Sequence, residues 1–166
     1  MATLASFQKF IAENLATRSV VYHGARAPHD FEDSGYISHG TFFAERQAVA
    51  EQFGNFIYRV VLKPDLRLFD TTSEPDVAQL LHEFDYVYAN PYGKQGDDYQ
   101  ELRSARDISG SPDTWEIIEN NEGVIDWLLD EGYDGVKLRE KGATTYLLFE
   151  PSACIDSYRL VHTLRD

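Results

Sequence analysis

Cysteine is almost missing from this 166-residue chain: Cys154 is the single one. One cysteine closes no intrachain disulfide and builds no zinc site by itself. The histidines are His23, His29, His39, His82 and His162; no two stand at i, i+4 on a helical stretch, and none has a ligand spacing to the cysteine. No metal is therefore expected. The patterns G-x-x-x-x-G-K and G-x-G-x-x-G are missing, and so is G-x-S-x-G. Their absence removes the P-loop, the Rossmann fingerprint and the serine-elbow hydrolases. Residues 1–16 mix polar and apolar side chains with no long apolar run, so neither a signal peptide nor a membrane span is expected. The cytoplasm is the expected location.

Basic residues are also scarce. Fifteen Lys and Arg face 28 Asp and Glu, for a formal net charge of -13. Such a surface repels phosphate, so direct nucleic-acid binding through a general electrostatic footprint is not expected. A basic partner, or mimicry of nucleic-acid charge, suits it better. Ten Phe and ten Tyr supply enough apolar bulk for a core despite the charge. The length suits a single domain over residues 1–166.

Leu4, Phe7, Phe10, Ile11 and Leu15 predict a helix over residues 4–15. Ser19-Val20-Val21-Tyr22 predicts a strand that stops at Gly24. Residues 26–40 have no period and predict an ordered loop over a site, with His29 and His39 flanking it. Thr41-Phe42-Phe43 is a second short strand, followed by a predicted helix over 44–53. Further strands are expected at 56–62 and 66–70. The acidic middle predicts helices over 74–88 and 114–130, the latter interrupted near Asn121 and Gly123, with mostly loop and a short helix near 99–105 between them. Strands return at 134–138, 144–149 and, as an edge, 155–161. Strands, then helices, then strands give an α+β class.

Three groups of residues can carry chemistry. Tyr22-His23-Gly24 puts a histidine at a strand end, before a glycine that lets a ligand approach the main chain. Gly40-Thr41-Phe42-Phe43-Ala44 leads an aromatic pair into a helix and offers a ring for stacking. Glu140, between Arg139 and Lys141, precedes the strand Thr144-Thr145-Tyr146-Leu147-Leu148-Phe149 and can stabilise a developing cation. Each has a plainer use: a structural histidine, core phenylalanines, a solvated turn charge. Thr145 reads as β-branched strand filler and Cys154 as a buried structural thiol.

Together these blocks resemble the ADP-ribosyltransferase fold, in the branch that uses a histidine, an aromatic and an acid. Gly132-Tyr133-Asp134-Gly135-Val136 and Tyr146-Leu147-Leu148-Phe149-Glu150-Pro151 resemble the closing strands of its small phage and bacterial members, including the anti-CRISPR ADP-ribosyltransferases. The resemblance covers patches from about Val20 to Ile155. It implies a split β-sheet core with flanking helices, to which the acidic middle would be a helical insertion. In the poly-ADP-ribosylating members the acid directly precedes the aromatic of the last strand; here that position is Thr145. In the phage members a Thr-Thr pair precedes the strand and the acid lies a few residues earlier, a register that names Glu140. Ala25 replaces the Ser or Thr common after His-Gly, and Phe42 replaces a stacking Tyr.

The resemblance implies NAD as co-substrate. Gly24 would hold the nicotinamide carboxamide, His23 a ribose hydroxyl of the adenosine side, and Phe42 the nicotinamide ring, with Phe43 beside it. Glu140 and His23 are the catalytic candidates. The implied activity is mono-ADP-ribosylation of a protein target by a phage or mobile-element effector that inactivates a host or CRISPR–Cas component. Two alternatives stay open: an inactive transferase-like acidic binding module, and an NAD glycohydrolase with water as acceptor.

Overall fold

The stretch from Phe56 to Leu62 buries Ile57, Tyr58, Val60 and Leu62, and it forms a strand with the expected bounds. The structure is a computed structural model that describes residues 6, 19–28, 31, 40–89, 99–111, 114–140 and 142–164. Among these residues the strands are β1 (Val20–Ala25), β2 (Thr41–Ala44), β3 (Phe56–Leu62), β4 (Leu68–Asp70), β5 (Val87–Ala89), β6 (Gln100–Leu102), β7 (Gly135–Glu140), β8 (Ala143–Leu148) and β9 (Ile155–Thr163). The helices are α1 (Gln47–Ala50), α2 (Glu74–Glu83), α3 (Ala105–Ser109), α4 (Trp115–Glu119), α5 (Val124–Asp130) and α6 (Pro151–Cys154). The class is mixed α+β. The helix expected over 4–15, Ser6 excepted, and most of the loop expected over 26–40 with His29 and His39, lie outside the described residues.

Seven strands form one sheet in the order β4-β7-β8-β2-β1-β3-β9, and β5 pairs with β6 apart from it. All pairings are antiparallel except β4 with β7. The sheet has a seam. β1 pairs with β3 along its whole length, from Val20↔Val61 to Ala25↔Phe56, and β2 pairs with β8 from Thr41↔Leu148 to Ala44↔Thr145. Between β1 and β2 there is one register pair, Tyr22↔Ala44. Past it, the His23 side chain rather than the β1 backbone bonds to β2.

Strand alternation sends side chains to opposite faces. Val21, Phe43, Val60, Tyr146 and Leu148 pack on one face with Phe31, Leu62 and Cys154. The other face carries two separate clusters. Phe69, Val136, Leu138 and Leu147 pack under Leu80, Ile108, Ile117, Ile118, Val124 and Leu128 of α2–α5. At the seam, Ala44 of β2 and Ile57 of β3 pack under Ala50 of α1. Fully burying one such Leu, Ile or Phe side chain contributes about 1.5–3 kcal/mol. The acidic middle is therefore no mere insertion: its helices supply the main core of the β7–β8 side. Nor is it wholly helical, since it contains the β5–β6 hairpin.

Several boundaries differ from expectation. β1 runs through His23 and Gly24 to Ala25. The helix expected over 44–53 shrinks to four residues, because Ala44 is held in the ladder by Thr145 and Glu45 N–H donates to the Thr144 carbonyl at 3.2 Å. α2 stops at Phe84, whose backbone is extended (φ -110°, ψ 127°), because Val87–Ala89 is recruited by β6. The stretch 114–130 divides as expected: Gly123 adopts φ +83°, a left-handed conformation that L side chains rarely take.

Candidate functional site

The face that carries two clusters leaves a cleft of about 320 Å³ between them. It is lined by β1 (Tyr22, His23, Gly24), β2 (Phe42, Phe43, Ala44) and the α1 turn (Ala50, Phe53), and closed by Trp115, Glu140 and Thr145. His23, Gly24, Phe42, Phe43 and Glu140, expected as site residues from distant parts of the chain, thus border one space.

The seam explains the place of His23. Once β1 and β2 separate, the Phe42 carbonyl has no β1 amide opposite it in the ladder. His23 Nδ1–H donates to that carbonyl at 2.7 Å. A carbonyl only accepts, so Nδ1 carries the hydrogen in this bond. The half-buried His23 ring packs 5.3 Å from the Phe31 ring and 5.4 Å from the Phe43 ring, centroid to centroid.

Gly24 is needed for a reason other than ligand approach. A Cβ there would lie 2.0 Å from the Ala50 carbonyl oxygen and 3.3 Å from Gly54 N. Gly54 answers it, with a Cβ position 2.2 Å from the Ala25 carbonyl carbon. The paired glycines bring the α1 turn down onto the end of β1. That close approach forms one wall of the cleft and carries Phe53, which is 58% exposed.

Phe42 and Phe43 point to opposite faces. Phe43 is 2% exposed and belongs to the core with Phe31 and Tyr58; as an expected cofactor-binding residue it is chiefly a core ring that reaches the cleft wall. Phe42 is half-buried and meets Trp115 edge to face, 4.8 Å between centroids at 90°. Trp115 is placed by Thr114, which is fully buried. Thr114 N donates to the Arg139 carbonyl at 3.0 Å, and Arg139 N donates to Thr114 Oγ1 at 2.8 Å. This staple fixes the start of α4 beside the end of β7, so Trp115 stands next to Glu140.

Glu140 lies at the end of β7, not in the turn, and is half-buried in the cleft wall. Its Oε2 accepts a hydrogen bond from Thr145 Oγ1 at 3.1 Å. Arg139, its neighbour in sequence, is exposed and alternates to the other face. Trp115, Phe53 and Thr145 were not expected as site residues. Phe53 stands on the short helix block after β2, a usable signal. Trp115 depends on Thr114 reaching across 25 residues, and no local pattern announces that.

Two titrating groups outside the cleft are strongly perturbed. Burial, then the Glu45 carboxylate that accepts from its hydroxyl at 2.6 Å, raises the Tyr146 phenol. Burial pushes the Cys154 thiol up to about 11, with Asp134 adding to the rise. Among the described residues no three His, Cys, Asp or Glu side chains converge as a metal site, and no helix is long and apolar enough to cross a membrane.

Neither a protein-family model nor a curated protein matches the chain. Among solved structures it is similar to an anti-CRISPR protein, at 22% identity over 87% of this chain and 96% of that one, with a TM-score of 0.46. At that degree of likeness no role passes from that protein to this chain.

Proposed function

We propose that the cleft binds NAD as a co-substrate and that the chain is a mono-ADP-ribosyltransferase acting on a protein. One observation carries this: His23, Phe42 and Glu140 border a single cleft beside the junction of β1 and β2, which share one register pair. The cleft's 320 Å³ is at the small end for ligand sites, which suits part of the dinucleotide with the rest lying beyond it. Its aromatic walls suit a flat ring, and its carboxylate suits a cation.

In the proposed reaction the bond between nicotinamide nitrogen and ribose C1′ breaks. Its electron pair leaves with nicotinamide, and C1′ becomes oxocarbenium-like. A nucleophile on the target then bonds to C1′ and gives up a proton. Phe42 and Phe53 hold the nicotinamide ring. The Gly24 main chain holds its carboxamide. His23, oriented by the Phe42 carbonyl, holds a ribose hydroxyl of the adenosine side. Glu140 bonds the nicotinamide-ribose hydroxyl and orients the acceptor. Its charge is most useful as positive charge develops, so it favours the transition state over bound NAD.

The target we infer is a host protein or a CRISPR–Cas component, met by an effector of a phage or mobile element. This rests on the sequence resemblance to small phage and bacterial transferases. The net charge of -13 suits a basic, nucleic-acid-binding target. Incubating the protein with labelled NAD and bacterial lysate tests the proposal. Label on a protein supports transfer. Free ADP-ribose alone makes the chain a glycohydrolase. No turnover, with a lysate protein retained, makes it an inactive binding module, the alternative that Thr145 in the usual acid position favours.

A further inference from the structure

We propose that Thr145 is a positioning residue for Glu140, so that an acid on β7 and a hydroxyl on β8 work as one unit. The inference rests on the transferase activity proposed above. β7 and β8 pair Leu138↔Thr145 and Glu140↔Ala143. Glu140 and Thr145 are therefore diagonal neighbours on one face, within reach of a long side chain. That face is the cleft: both residues line it.

Thr145 is 3% exposed, and a buried hydroxyl needs a partner. It donates to Glu140 Oε2 at 3.1 Å. A glutamate at a strand end has several torsions free to turn its carboxylate toward solvent. A donor fixed in the middle of β8 selects the conformers that keep the carboxylate in the cleft. The neighbours on that face, Leu138 and Ala143, are apolar and offer no such bond. Thr145 thus holds in the cleft a carboxylate supplied by the adjacent strand.

Thr145→Val removes the hydroxyl at nearly constant shape, and Thr145→Ser keeps it. Nicotinamide release from NAD is measured on the full chain, with and without bacterial lysate protein, alongside thermal unfolding. Thr145→Val should lower kcat about tenfold or more, the scale of one hydrogen bond to a charged group. KM for NAD should stay within about twofold, and Thr145→Ser should recover most of the rate. Wild-type kcat in Thr145→Val overturns the positioning role while leaving the transferase intact. Equal rate losses in both variants, matched by equal losses of Tm, also overturn it, because the role would then be packing alone. A wild type that releases no nicotinamide under either condition overturns the transferase and, with it, the role of Thr145.

Discussion

Replacing Gly24 by alanine asks whether this glycine serves the ligand or the fold. The added Cβ would sit 2.0 Å from the Ala50 carbonyl oxygen, whereas ordinary contact begins near 3.4 Å. Something must therefore retreat by roughly 1.4 Å, the difference between those two distances. The obstacle is backbone, so no rotamer relieves it. β1 is pinned by six register pairs with β3, whereas α1 spans four residues, so the α1 turn is the part that moves. The cluster of Ala44, Ala50 and Ile57 then opens, and Phe53 moves with it. Overpacking of this kind costs about 1–3 kcal/mol, which for a chain of this length lowers Tm by roughly 2–12 °C. Thermal unfolding followed by circular dichroism, without NAD, reads the fold; calorimetric titration with NAD reads the cleft. Both should suffer in Gly24→Ala. An unchanged Tm together with lost NAD binding would refute the packing argument and return Gly24 to ligand contact alone.

Glu140→Gln should lower the rate of nicotinamide release on the order of a hundredfold or more, with calorimetric NAD affinity changed little; full rate in this variant would remove Glu140 from the mechanism. Phe53→Ala, on a side chain 58% exposed, should weaken NAD binding roughly fivefold to tenfold through lost stacking while Tm holds. Phe42→Ala should lower both affinity and Tm, because the ring also packs on Trp115, and Phe42→Tyr should retain both; equal behaviour of Phe42→Ala and Phe53→Ala would contradict the two environments. The Cys154 thiol, raised from 9.0 to about 11 in the fold, binds its proton more tightly folded than unfolded. Its stabilising contribution is therefore complete below pH 9 and is lost as pH rises through about 11. Urea midpoints of wild type should fall across that window more steeply than those of Cys154→Ala, and parallel profiles would argue against the shift.

Where local pattern and tertiary demand agree, the strands could be read directly. Phe56–Leu62 alternates and is paired on both sides. The division of residues 114–130 followed from Asn121 and Gly123 alone. Propensity misled where pairing overrode it. Ala44 and Glu45 are good helix formers, yet they extend the β2–β8 ladder. Tyr88 could end a helix, but the pairing of β5 with β6 takes it into a strand. In the cleft, His23, Phe42 and Glu140 were legible because they stand in short blocks with a recognisable order. Thr145 was not, since its direction depends on the hairpin register. Gly24 was legible as important but for another reason, because the approach of Ala50 is a contact between segments.

The single pair Tyr22↔Ala44 gives the molecule an uneven cohesion. Along most of the sheet, backbone hydrogen bonds bind each strand to its neighbour; at the seam that task falls on one residue pair, the His23–Phe42 bond and whatever bridges the gap. A ligand in the cleft touches both half-sheets at once and would act there as a stitch. Occupancy and resistance to opening are then thermodynamically linked, since anything that binds the closed form alone stabilises it in proportion to the logarithm of its concentration over its dissociation constant. A ligand bound across the junction of β1 and β2 would therefore add to the packing that already joins the two sides of the sheet.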